Sequence, residues 1–167
     1  MEIGLSIGAN LGDRLKQMTE AKKMILDLPG IRQVAQSPVY ETEPVEVPPE
    51  FQHLPFLNAI LIIETLLSSH QIMNMLRFIE QKVGRVPDPV PNAPRHADID
   101  IIYAGDLQIN DEQIIIPHPR WSIRRFVLQP LSDVRPDLRI PGQNGTVSEV
   151  LTSLSDEAQV TWFAKNW

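Results

Sequence analysis

Two carboxylates, Asp98 and Asp100, stand in the stretch P-R-H-A-D-I-D-I-I-Y-A-G-D at 94–106, which opens on a turn-forming proline and closes on a Gly-Asp turn signal. Between those ends Ile99, Ile101, Ile102 and Tyr103 make a β-rich run, so a strand is expected. Side chains two apart in a strand point to the same face, which puts Asp98 and Asp100 side by side and Ile99 and Ile101 behind them. Neighbouring carboxylates repel and disfavour each other's charge. A hard divalent ion such as Mg²⁺, held by one or two carboxylates together with substrate phosphates, removes that penalty. Arg95, just upstream, is of the type that pairs with a phosphate oxygen. A bare D-x-D more often marks a solvated sheet rim or an Arg partner than a metal site, so the surrounding chain has to overturn that reading.

The charge is distributed as a phosphate site needs. The net charge of −6 argues against a general nucleic-acid binder, yet from residue 113 to 130 the only charged residues are Arg120, Arg124 and Arg125. From 41 to 64 there are five Glu and no Lys or Arg. With no cysteine, disulfides and thiolate metal sites are excluded, which fits a reducing cytoplasm. The first residues, M-E-I-G-L-S-I-G, do not read as a signal peptide, and the apolar run near 59–63 is too short to span a membrane. The 167 residues, 43% hydrophobic, are expected to form a single domain, 1–167, with a substantial core.

The elements that must hold these residues follow from periodicity. Residues 2–8 alternate as a half-buried strand. The turn G-A-N-L-G-D leads into a helix carrying Leu15, Met18, Ala21, Ile25 and Leu28, which Pro29-Gly30 stops. That turn lacks the Lys-Ser/Thr of a P-loop and is not G-x-G-x-x-G, so it reads as a tight structural turn. A second strand is expected at 31–41, then a surface loop with four prolines between Thr42 and Pro55, then a third strand at 59–64 with Phe56 and Leu57 just before it. Residues 68–84 are the clearest helix, with a Ser68/Gln71 capping box and Gly84 at its end. The proline-alternating stretch 86–94 is expected to be extended and stiff. Residues 124–131 look helical, and Thr146 and Glu149 make another capping box. The order β-α-β-β-α-β is the ferredoxin-like arrangement, an antiparallel sheet with helices on one face, here with further C-terminal elements.

Seven fragments in order then resemble one family, the 6-hydroxymethyl-7,8-dihydropterin pyrophosphokinases of folate synthesis. They are I-G-A-N-L-G-D, Y-E-T-E-P, F-L-N-A, I-E-Q-K-V-G-R, the 94–106 stretch, P-H-P-R and R-R-F-V-L-Q-P-L. The resemblance runs nearly the whole chain and is most specific in P-R-x-x-D-I-D-I combined with P-H-P-R. It implies transfer of a pyrophosphoryl group from ATP to the pterin hydroxymethyl oxygen, leaving AMP. It implies that Asp98 and Asp100 hold two Mg²⁺ ions, that Thr42 and Asn58 read the pterin's hydrogen-bonding edge, and that Phe56 and Phe126 sandwich its ring. Glu80, Arg85, Arg95, His118 and Arg124 would line the ATP side, with Ile101 near the adenine; Arg95, His118 and Arg124 join the two aspartates as the catalytic set.

The sequence departs from the family in three places. Its second loop, V-P-D-P-V-P-N-A-P, carries no Lys or Arg; Gln113 and Ile115 stand where some members have Arg and Thr; and His96 follows Arg95 where Thr or Pro is common. A weakened or non-catalytic ferredoxin-like ligand-binding paralogue is therefore the alternative to a working enzyme. A glycosyltransferase, whose D-x-D also binds a metal diphosphate, needs a larger domain. Partners are expected to be small molecules, ATP and a reduced pterin, with no nucleic acid or membrane; the oligomeric state is left open.

Overall fold

The computed structural model describes residues 1–45, 47–84, 96–155 and 158–167. Arg85, Arg95 and the proline-rich 86–94 stretch lie outside the described residues. Strand β1 (Glu2–Ala9) leads through the Gly12 turn to helix α1 (Arg14–Leu26), whose N-cap Asp13 accepts the Lys16 N–H at 3.2 Å. Next come β2 (Ile31–Gln36), β3 (Val39–Thr42), β4 (Phe56–Thr65) and α2 (Ser69–Lys82), which opens on the expected Ser68/Gln71 capping box. The Asp-bearing β5 (Asp98–Ala104) precedes a small hairpin, β6 (Ile109–Asn110) and β7 (Ile115–Ile116). Helices α3 (Arg125–Val134) and α4 (Val147–Ser153), the latter with its Thr146/Glu149 capping box, and strand β8 (Val160–Ala164) complete the order.

The main sheet runs β5-β1-β4-β3-β8 with antiparallel pairing, and β2 also pairs with β4. The expected second strand, 31–41, is thus two segments along one partner. Pro38 supplies no N–H for a ladder, and the interruption is bridged by Ser37, whose hydroxyl accepts the Ile60 N–H at 2.8 Å while its own N–H reaches the Ile60 carbonyl at 2.9 Å. Taking β2 and β3 as one interrupted strand, β5-β1-β4-β2/β3 is the ferredoxin-like order. Strand β4 starts three residues earlier than the expected 59, at Phe56, so Phe56 and Asn58 belong to the sheet.

The two helices of the ferredoxin-like core lie on one face of that sheet, as expected, and the further C-terminal helices cover the other. Ile3, Leu5, Ile7, Leu61 and Ile63 pack with Met18 and Ile25 of α1 and Ile72, Leu76 and Ile79 of α2. On the other face Ile60, Ile62, Ile102 and Tyr103 pack with Val127, Leu128 and Leu131 of α3 and Val147 of α4. The cause is legible in β4, where every residue from Leu57 to Ile63 is buried, a run that needs apolar cover on two sides. Each such aliphatic side chain withdrawn from water contributes about 1.5–3 kcal/mol. Strand β8, which the sequence reading did not identify, extends the sheet along β3. Among the described residues no helix is long and apolar enough to cross a membrane.

Candidate active site

Thr42, Asn58, Asp98 and Asp100 share the α3 face, at the end of the sheet where β1 and β3 finish and β4 and β5 begin. Register places Asn58 of β4 opposite Gly8 of β1, and Gly8 opposite Asp98 of β5; one row along, Ser6 faces both Ile60 and Asp100. Strands lie about 4.8 Å apart, so the Asn58 and Asp98 backbones are about 10 Å apart across the row. Gly8 keeps that row open: a Cβ there would stand 2.7 Å from Asn58 Oδ1. A glycine inside a strand pattern signals such a close approach, and that signal was available in the sequence.

At the β4 end the side chains are withdrawn from water. Thr42 and Asn58 are each 4% exposed, and Asn58 Nδ2 donates to Thr42 Oγ1 at 2.8 Å. Thr42 is paired across the ladder with Phe56, which is half-buried. Phe126, in the first turn of α3, is also half-buried, packs on the α3-side core, and has the Arg124 guanidinium 5.3 Å from its ring centroid. A cation at that distance over an aromatic face is held by the ring quadrupole.

At the β5 end the groups are charged and closer to solvent. Asp98 and Asp100 share one face of β5, as alternation requires. His118 lies beside them, its backbone N–H bonded to the Ile102 carbonyl at 2.9 Å and its Nε2 3.9 Å from Asp100 Oδ2. Burial, then the charges of Arg124 and Arg120, push the His118 ring down to about 4, against a weaker upward pull from Asp98. The ring is neutral at neutral pH. Since the Arg120 N–H donates to Nδ1 at 3.1 Å, the ring proton sits on Nε2 and faces the aspartates.

Glu80 is neither at the surface nor among the exposed charges. It is 4% exposed, and its Oε1 accepts the Ile99 N–H at 2.9 Å, closing part of the outer edge of β5 next to the two aspartates. Ile101 has its side chain, 2% exposed, in the core beneath α1 and α2, on the face opposite Asp98 and Asp100, as alternation requires. What it can offer a base is main chain, because its N–H points to the same outer edge as that of Ile99. Arg85 and Arg95, expected on the ATP side, fall outside the described residues. His96, the unusual neighbour of Arg95, has its Nδ1 2.7 Å from Gln17 Nε2 and ties the start of β5 to α1.

The donor set suits Mg²⁺ in a particular way. Among the described residues no group of three or more His, Cys, Asp or Glu side chains gathers to cage a metal. Two adjacent carboxylates without a third match an ion that keeps waters and takes further oxygens from a phosphate chain.

Comparison with known proteins gives the family of the chain. Residues 4–136 match the family model described as 7,8-dihydro-6-hydroxymethylpterin-pyrophosphokinase. The chain is 37% identical over 150 residues to a 2-amino-4-hydroxy-6-hydroxymethyldihydropteridine pyrophosphokinase of Methylorubrum extorquens, covering 90% of this chain and 91% of that protein. It is 36% identical over 154 residues to the folic acid synthesis protein fol1 of Schizosaccharomyces pombe, covering 92% of this chain but only 20% of that one, so the chain spans about a fifth of that relative. In three dimensions it resembles the crystal structure of wild-type Plasmodium falciparum HPPK-DHPS with pteroate, with a TM-score of 0.68 at 14% identity over 90% of this chain and 42% of the other. At that identity the structural likeness bears on the fold; the sequence matches, covering most of the chain and most of the bacterial relative, establish that the chain belongs to the 7,8-dihydro-6-hydroxymethylpterin-pyrophosphokinase family.

Proposed function

We propose that this protein transfers a diphosphate from ATP to the hydroxymethyl oxygen of 6-hydroxymethyl-7,8-dihydropterin and releases AMP. The observation that carries the reading is the row Asn58–Gly8–Asp98, which sets a buried hydrogen-bonding pair two strand spacings from a carboxylate pair. A flat heterocycle with a polar edge fits the first, a metal-bound phosphate chain fits the second, and the span between suits a one-carbon hydroxymethyl arm reaching a terminal diphosphate.

The chain's own groups divide the work. Thr42 and Asn58 present hydrogen-bonding atoms where little water competes, and Phe56 and Phe126 supply two aromatic faces for the ring. Asp98 and Asp100 are the residues to hold Mg²⁺, two ions in our reading. Bound there, the metal supplies charge neutralisation for the phosphates. Arg124 and Arg120 bring positive charge to the same end, and the neutral His118 offers its Nε2–H as a donor. Arg95 and Arg85 are proposed to join them, and Glu80 holds β5 at the ATP side through Ile99. The hydroxymethyl oxygen attacks the β-phosphorus, the bond from that phosphorus to the oxygen bridging to the α-phosphate breaks, and the hydroxyl proton is released. Such a transfer needs positioning and charge stabilisation more than a side-chain nucleophile.

Magnesium-dependent AMP release from ATP, measured with and without the pterin, tests the reading. Release that requires both supports it. ATP binding with no pterin-dependent AMP would instead mark a ligand-binding paralogue.

A further inference from the structure

The turn into α1 ends in Arg14, a residue that the reading above leaves without a role. Its guanidinium makes contacts to separate parts of the chain. Nη2 pairs with Glu41 Oε2 at 2.7 Å, Nη1 donates to the Pro55 carbonyl at 2.9 Å, and Cζ stands 5.9 Å from the ring centroid of Phe163 in β8. The Arg14 side chain is 23% exposed and that of Glu41 38%, so the pair is partly shielded from solvent.

The positions of the gripped groups give the contact its meaning. Glu41 immediately precedes Thr42, and Pro55 immediately precedes Phe56. Thr42 and Phe56 are the last register pair of the β3–β4 ladder before the chain leaves into residues 43–55. Terminal pairs are where a ladder frays first. Alternation sends the Glu41 side chain to the α1 face while Thr42 points to the opposite one, so Arg14 grips this pair from behind the sheet. Anchoring α1 does not explain the contact, because Asp13 already caps that helix.

We propose that Arg14 is a positioning residue for the pterin half of the site, clamping the two strand ends that present Thr42 and Phe56. The proposal rests on reading Thr42, Phe56 and Asn58 as the pterin pocket. Arg14 touches neither substrate. Its effect is to hold the spacing between a hydrogen-bonding side chain and a stacking ring, where a shift of about 1 Å is costly. The carboxylate pair on β5 is three strands from β3, beyond β4 and β1, so its ligands should be indifferent to Arg14.

The test uses the full chain preloaded with Mg²⁺ and a non-hydrolysable ATP analogue, titrated calorimetrically with 6-hydroxymethylpterin, with the analogue's own affinity and the melting temperature measured alongside. Arg14→Ala should weaken the pterin about tenfold, the scale of losing a charge-assisted contact, and leave the analogue within about twofold. Arg14→Lys, which keeps the charge but not the two-pronged reach, should recover part of the loss. Glu41→Gln, a milder change that serves if Arg14→Ala does not fold, should weaken the pterin about threefold and again spare the analogue. Pterin affinity unchanged in these variants while the melting temperature falls, or equal losses for both ligands, would overturn the proposal. Wild-type protein that binds the analogue but no pterin would overturn the pocket reading itself, an outcome distinct from wild-type binding that the variants leave intact.

Discussion

The two ends of the proposed site, one for the pterin and one for the phosphates, are built by opposite means. The pterin end lies on interior strands, with Thr42 and Asn58 at 4% exposure and already bonded to each other. The phosphate end lies on β5, an outer strand of the sheet, and on the 117–125 segment, with the Asp100 side chain 43% exposed. A neutral heterocycle gains from walls dried and ordered in advance, since its hydrogen bonds are worth little where water competes. A polyphosphate arrives with charge and a hydrated metal, so carboxylates close to water, as Asp100 is, meet it at a smaller desolvation cost than buried ones would.

That contrast can be broken most sharply at the carboxylates. Asp98→Ala or Asp100→Ala should lower turnover by about a hundredfold or more while the melting temperature holds or rises, since removing one of two like charges relieves repulsion. Turnover assays at saturating Mg²⁺ alongside thermal melts check this; near-wild-type rates, or unfolded protein, would make the pair structural.

Acid should act on the phosphate end through His118. Its folded pKa is pushed down to about 4, and an unfolded histidine titrates near the ordinary 6.5. Between those values the unfolded chain binds more protons, so stability rises with pH there; it is complete above about 6.5 and lost as pH falls towards about 4, by about 3 kcal/mol at most. Urea unfolding at several pH values should show this slope flattened in His118→Gln. An unchanged slope would assign the acid sensitivity elsewhere.

At the pterin end the expected effects are smaller and ligand-specific. Phe126→Ala removes one stacking face and should cost the pterin about 1–3 kcal/mol of affinity with little change for an ATP analogue. Equal losses for both ligands would make Phe126 a packing residue. Thr42→Val strips the acceptor from buried Asn58 Nδ2 and should cost about 1–2 kcal/mol of stability, whereas Thr42→Ser keeps the oxygen and should cost less than about 1 kcal/mol. Denaturant titration of the two variants side by side separates the hydroxyl from the methyl.

The difference between the two ends also sets how far each could be read from residue order. The pairing of Asp98 with Asp100 follows from a period of two, and the same alternation sends the Ile101 side chain to the core. The capping boxes at Ser68 and Thr146 are likewise local: a hydroxyl and an amide or carboxylate three residues on suffice to define them. Such features depend on neighbours along the chain, and the sequence by itself determined them. The Thr42–Asn58 bond, the Gly8 gap between Asn58 and Asp98, and the Glu80 contact to Ile99 N–H join residues 16 or more apart in sequence, apart from the adjacency that register alone creates. Pro38 divided an expected strand without ending its pairing with β4, because the Ser37 hydroxyl took over a ladder contact to Ile60, a substitution visible only once β4 lies alongside. The depth of Glu80, the neutrality of His118 through burial and the charges of Arg124 and Arg120, and the reach of Arg14 from behind the sheet were decided by tertiary structure alone, because burial and register depend on what the rest of the chain brings alongside.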